Sequence, residues 1–199
     1  MGAPTIDKEQ ADTSTQRTIN GLNVEQMVNT VASIEQQPEL ARFRFRATNQ
    51  WINAGHNRSR IKGFYGAGQE DRSRMQSFIV DADEPAALLG EDHAPNPVEF
   101  VLHALAACLT TTLIFEASAD GVEIDEVESR IEGELDLRGS LGMADDIRNG
   151  FEKIRVEFKV KSNAPREKLE ELFARAERLS AVFDIVANPV PVELKMETA

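Results

Sequence analysis

"NPVEFVLHALAACLTTTLIFEAS", residues 96–118, is the stretch on which the fold turns. Pro97 suits a first helical turn, where its missing N–H has no partner to lose. Leu102, Leu105, Ala106, Leu109, Leu113 and Ile114 then spread round much of the circumference at 3.6 residues per turn. The spacing predicts a helix buried on all sides, the spine of a core or of a subunit interface. Ala104, Ala106 and Ala107 let another backbone come close, and Gly121 in the following "ADG" suits a helix C-terminus.

Cys108, the single cysteine of the chain, lies inside this helix. One reading is packing, because free cysteine behaves as a small hydrophobe. The other is reactivity, which needs a cation, a helix N-terminus or a base beside the thiol. On a straight helix Glu99 falls about 180° from Cys108 and His103 about 140° away. Activation therefore has to come from elsewhere in the fold.

Outward from the helix, strands come in groups. "ARFRFRAT" (41–48) alternates Phe43, Phe45 and Ala47 with Arg42, Arg44 and Arg46, the signature of a half-buried strand with an exposed arginine face. "WINAGHNRSRIKGFYGAGQE" reads as strands joined by glycine-bearing turns, "RMQSFIVDA" as a further strand, and "DEPAALLGEDHAPNP" as a loop. After the helix, "VEIDEVESRIEGELDLRG" predicts a long, bulged strand, with Asp136 and Arg138 fixing a turn. "FEKIRVEFKVK" predicts its antiparallel neighbour. "APREKLEELFARAERL" carries Leu169, Leu172, Phe173 and Ala176 on one helical face. "AVFDIVANP" reads as a short helix or turn and "VPVELKM" as a last strand. Near the start, "LNVEQMVNTVASIEQ" predicts an amphipathic helix beginning near Asn20 or Asn23, and residues 1–19 read as a disordered polar tail. The pattern is α+β with antiparallel sheet, in two parts: an extension over 1–39 and a domain over 40–199.

Bulk properties exclude several functions. The 199 residues carry a net charge of −12, which disfavours nucleic acid and anionic membrane surfaces as partners. One cysteine forms no internal disulfide, and "MGAPTI" has neither a secretory core nor the Ser or Thr of a myristoylation motif. The apolar run of residues 96–118 is interrupted by Glu99, His103 and Glu116, against a membrane span. The expected location is cytoplasmic. No phosphate-binding glycine loop points to a nucleotide, and His56, His93 and His103 with one cysteine make no metal-ligand spacing. No cofactor is expected.

Asn96-Pro97 followed twelve residues later by Ala106-Ala107-Cys108 resembles the OsmC/Ohr family of thiol-dependent hydroperoxide reductases. "DADEPAALLGEDHAPNPVEF", "DLRGSLGM" and "LSAVFDIVANPVPVEL" agree with it. The resemblance implies an OsmC-like fold: curved antiparallel sheets packed around long central helices in an intertwined homodimer, with active sites at the subunit interface. It also implies a peroxidatic thiolate that becomes a sulfenic acid, a second cysteine that resolves it, an arginine that stabilises the thiolate, and a carboxylate that orients the arginine.

Cys108 matches the attacking cysteine. The second cysteine is absent, and its place falls near Ser180, as in the branch of the family that has lost it. Turnover would then need an external thiol reductant. The family carboxylate follows Asn-Pro directly, where this chain has Val98; Glu99 comes next and is the candidate orienting group. Arg58 is preferred over His56 and Arg60 as the stabilising cation. His103 reads as an interface or core residue, and Phe100, Leu105 and Leu109 as walls of an apolar pocket that also holds Ser180. The expected substrate is an organic hydroperoxide, in oxidative stress defence. The alternative is an OsmC-like protein that binds a small apolar ligand without turnover.

Overall fold

The computed structural model describes residues 17–198. The described residues start with a tight hairpin, β1 (Thr18–Ile19) and β2 (Leu22–Asn23), which runs into α1 (Val24–Gln36). Asn23 caps α1 by accepting the Gln26 N–H at 2.8 Å, while Asn20 sits in the hairpin turn at φ 51°. Residues 17–19 are thus ordered, contrary to expectation, with Ile19 buried. Residues 1–16 of the expected tail lie outside the described residues.

Three strands, β3 (Thr48–Asn53), β4 (His56–Ile61) and β7 (Phe78–Ala82), form an antiparallel sheet in the order β3-β4-β7. Between β4 and β7, β5 (Phe64–Gly66) and β6 (Gln69–Asp71) make a short hairpin. The expected strand over "ARFRFRAT" is not formed. Residues 42–47 make a single bridge, Arg44 to Tyr65, because β5 offers them only a three-residue edge. Phe43 stacks on Phe64 at 6.2 Å, but Phe45 stays 69% exposed, so neither face is buried.

A loop leads from β7 to α2 (Pro97–Ala119), the predicted central helix. Asn96 accepts the Glu99 N–H at 3.0 Å, and the Glu99 carboxylate accepts the Asn96 N–H at 2.8 Å, a reciprocal capping box. At the other end Gly121, at φ 74°, closes a Schellman motif: its N–H reaches Ser118 O, and the Val122 N–H reaches Ala117 O. By length and composition α2 could cross a membrane. Here Leu105, Leu109, Leu113 and Ala117 form one buried stripe, and the elements packed against α2 are α1, β8, α4 and α5, described next. Within one chain the burial is not all round: Val101, His103, Ala107, Thr111 and Phe115 are exposed, because one chain supplies neighbours for only part of the circumference.

β8 (Glu126–Glu134) and β9 (Lys153–Lys161) form a continuous antiparallel ladder with no bulge, unlike the bulged strand expected. Their outward pairs, Glu126–Lys161, Glu128–Lys159, Arg130–Glu157, Glu132–Arg155 and Glu134–Lys153, all join opposite charges. A one-residue slip would break every pair and turn Ile131, Val156 and Val160 toward water, which pins the register. The connection contains α3 (Leu137–Ser140), capped by Asp136. Then α4 (Arg166–Leu179) lays Leu172 and Ala176 against Leu113 and Ala117, with Leu169 and Phe173 alongside, and this is the core. Ser180 is at once the C-cap of α4 and the N-cap of α5 (Ala181–Ala187). The expected last strand over "VPVELKM" has no regular structure and pairs with no strand among the described residues; Leu194 is 94% exposed.

Candidate functional site

Cys108 is half-buried on α2, on the side that meets α5. Ser180 is 1% exposed. Its Oγ accepts the Phe183 N–H at 3.2 Å, which leaves the single hydroxyl hydrogen to donate elsewhere. That hydroxyl and the N–H groups of Ala181 and Val182 bear on the Cys108 sulfur. In α5 these two amides belong to the first turn, so no helical carbonyl claims them. Burial pushes the Cys108 thiol up, but the Ser180 hydroxyl and the amides outweigh it and hold the thiol below its ordinary value. Thr112 is one turn on from Cys108. Its hydroxyl donates to the Cys108 carbonyl at 2.8 Å, so its one hydrogen is already engaged.

Beside this contact opens a cleft of about 520 Å³. Val101 and Leu105 of α2, Phe151, Ile154 and Val156 of the β9 region, and Phe183 of α5 give it apolar walls. Arg148, Glu152 and Lys153 are its charged members. Val101, Leu105, Cys108 and Thr112 share one stripe of α2 by helical spacing, so the thiol lies one turn beyond the cleft wall at Leu105.

The other candidates are distributed as follows. Leu105 lines the cleft, and Ser180 is buried at the junction of α4 and α5. Leu109 is buried toward the interior, and His103 is exposed. Phe100 is half-buried and is not a wall of the cleft. Glu99 is engaged in the capping box at the start of α2. Arg58 is on β4, where its Nε and Nη2 donate to Asp81 at 2.6 and 2.7 Å. Within one chain it is not among the groups acting on Cys108.

Sequence reading missed the group around Arg58. Asp81 accepts from Arg58 and lies 3.4 Å from His56 Nε2, a contact too poorly aligned for a hydrogen bond. The Arg58 guanidinium first, with His56 helping, pulls the Asp81 carboxyl down to about 2. The His56 and His93 rings are 5.5 Å apart. Asp83, fully buried, accepts the N–H groups of Glu84, Glu91 and His93 and pins the loop before α2. Turn residues and short apolar runs suggested strands in this region but carried no sign of this clustering, and Arg58, expected in the turn after Trp51, lies within β4. Among the described residues, no three His, Cys, Asp or Glu side chains are grouped so as to hold a metal ion. The cleft residues Arg148, Phe151 and Lys153 were also missed, because they come from what reads as a connection and a strand end.

A dominant apolar helix with a cysteine at its α5 contact, antiparallel sheets and a reciprocal cap at Asn96 together define a class. The chain belongs to the OsmC-like protein family, whose model matches residues 90–195. Among solved structures it is similar to an OsmC-like protein from Mycoplasma pneumoniae, at 14% identity over 73% of this chain and 89% of that one, with a TM-score of 0.56. It is also similar to an organic hydroperoxide resistance protein OsmC from Legionella pneumophila, at 17% identity over 71% of this chain and 88% of that one, with a TM-score of 0.50. At these identities the likeness is one of fold. No match is found among curated proteins.

Proposed function

We propose that the protein reduces organic hydroperoxides in a stress-related redox role, with Cys108 as its one reacting cysteine and an external thiol as reductant. The observation that carries this reading is the Cys108 sulfur, held toward its thiolate form by Ser180 and two free amides, beside an apolar cleft. The thiolate attacks the distal oxygen of the hydroperoxide. An S–O bond forms, the O–O bond breaks, and the leaving alkoxide takes a proton from water, giving an alcohol and a sulfenic acid. A thiol then displaces water from the sulfenic acid, and a second thiol releases Cys108 and leaves as the disulfide.

The active form in this reading is a homodimer. In one chain the outer stripe of α2, the aromatic face with Phe43, Phe45 and Trp51, and the segment with Val190, Val192 and Leu194 all stand exposed. Apolar surface on that scale needs a partner. A second copy would cover the outer stripe of α2, and Arg58 of the partner subunit, oriented by its own Asp81, is the cation offered to Cys108.

The test is cumene hydroperoxide consumption with a dithiol, comparing the natural protein with Cys108→Ser. Turnover lost in the serine variant supports the reading. Equal rates in both overturn it. The second reading, a binding protein for a small apolar ligand, draws on the cleft and on the absence of a second cysteine. Saturable binding of such a ligand, kept in Cys108→Ala, favours it.

A further inference from the structure

We propose that the Asn149–Gly150 pair is a self-modification site: the Gly150 amide nitrogen closes on the Asn149 side chain, and the product places a negative charge at the mouth of the cleft. Three pairs in the chain have the sequence such a ring closure needs, an Asn or Asp followed by a glycine with no Cβ to hinder attack: Asn20-Gly21, Asp120-Gly121 and Asn149-Gly150. The fold protects the first two. The Asn20 side chain is spent on three hydrogen bonds, with Ser118 Oγ, Val122 O and the Ile124 N–H. Asp120 is held by Lys168 and Arg175, each at 2.8 Å, which keeps it a charged carboxylate, and the Gly121 N–H is already bound to Ser118 O. The third pair is free. Asn149 is exposed, and among the described residues neither its side chain nor the Gly150 N–H makes a hydrogen bond. Gly150 also has open space around it: apart from its chain neighbours, the one atom near an added Cβ is Arg148 Nε, at 3.8 Å.

Water is the only co-reactant the step needs. The Gly150 nitrogen gives up its proton and bonds to the side-chain carbonyl carbon of Asn149. The amide nitrogen leaves as ammonia, and a cyclic imide remains. Water then opens the imide at either carbonyl, giving aspartate or isoaspartate at position 149. The Arg148 guanidinium beside Gly150 favours the deprotonated nitrogen that attacks. The place of the pair gives the step its consequence. Arg148, Glu152 and Lys153 are the charged members of the cleft, and a carboxylate at position 149 offsets their excess of positive charge. Isoaspartate also adds one carbon to the backbone between Arg148 and Phe151, and both of these are closely packed. A Cβ on Gly139 would meet Arg148 O at 2.5 Å, and one on Gly133 would meet the Phe151 ring. Arg148 or Phe151 has to absorb the added length, so the cleft changes in shape as well as charge. The imide step does not depend on the reading of Cys108 given above; the functional weight of an altered cleft does.

The full chain, held in warm, mildly alkaline buffer and sampled by peptide mapping with isoaspartate detection, tests this. Conversion should appear first at position 149. Positions 20 and 120 should convert at least about tenfold more slowly, since they react only from locally opened states. Gly150→Ala, whose Cβ has room, should keep the fold and slow conversion severalfold. Conversion at position 20 or 120 ahead of 149, or equal rates in Gly150→Ala and the natural protein, overturns the proposal. Asn149→Gln, whose longer side chain closes a ring less readily, should abolish conversion there even if Gly150→Ala fails to fold. The effect on the cleft is read at Cys108 by alkylation with iodoacetate, an anion, beside neutral iodoacetamide. In Asn149→Asp the ratio of the two rates should fall severalfold at low ionic strength and recover in high salt. An unchanged ratio overturns the effect on the cleft. Conversion at position 149 in a protein that consumes no hydroperoxide leaves this site standing and sinks only the activity proposed above.

Discussion

Asn20 and Ser118, 98 residues apart in sequence, are joined by a hydrogen bond of 3.1 Å from the Asn20 amide to the Ser118 hydroxyl. The same amide donates to Val122 O at 2.9 Å, and its oxygen accepts the Ile124 N–H at 2.8 Å. The Ser118 hydroxyl in turn donates within α2 or to Ile19 O. The first hairpin is thereby stitched to the end of α2, although the family match begins only at residue 90. Asn20→Ala removes three bonds and puts alanine at a positive φ. It should destabilise the protein by about 2–4 kcal/mol. Urea unfolding of Asn20→Ala beside Asn20→Gly separates the two terms, since glycine removes only the bonds. A loss under about 0.5 kcal/mol in both would mean that the hairpin is not held by this side chain.

Gly133 of β8 leaves room for the Phe151 ring, a wall of the cleft. A Cβ at this position would meet Phe151 Cε1 at 2.5 Å and Cδ1 at 2.6 Å. Gly133→Ala should displace the ring, cost about 1–3 kcal/mol and narrow the cleft. Reaction with a bulky organic hydroperoxide should then slow while alkylation by small iodoacetamide does not. Equal slowing of both reagents would separate the cleft from the route to Cys108.

Arg58 and Asp81 make the pH dependence readable. The carboxyl of Asp81 is drawn from an ordinary 3.8 to about 2, chiefly by its paired hydrogen bonds from Arg58. Because the folded value is the lower one, the pair stabilises the fold above about pH 4, and that contribution disappears as pH falls through about 2. The difference in melting temperature between the natural protein and Asp81→Asn should be constant from pH 5 to 8 and shrink toward pH 2. A difference that instead widens in acid would show that the pair does not exist in solution.

The elements legible in sequence were those with a clean period. Alternation in "FEKIRVEFKVK" and the 3.6-residue spacing of Leu169, Leu172 and Ala176 both correspond to formed elements with those faces inward. "ARFRFRAT" and "VPVELKM" alternate as well, yet neither is a strand within one chain. Alternation reports that a segment could line one face of a sheet. It does not report whether an edge is there to pair with it. The α2 helix shows the same limit, since its apolar circumference states how much must be covered and not by what.

Residue order and chemistry by themselves determined the central helix and its ends, the two long strands, the family resemblance at Asn96-Pro97 and Cys108, and the loss of a second thiol. Those features depend on periods and neighbours along the chain. Only the tertiary structure decided that the start of α5 packs on the helix that carries Cys108, that Glu99 is spent on the helix cap, and that Arg58 is paired with Asp81. Each joins atoms far apart in sequence, or chooses one partner among several within reach. Hydrogen bonds and thiol activation act over a few ångströms, so they are settled by where the packed elements place the atoms and leave no repeat in the sequence.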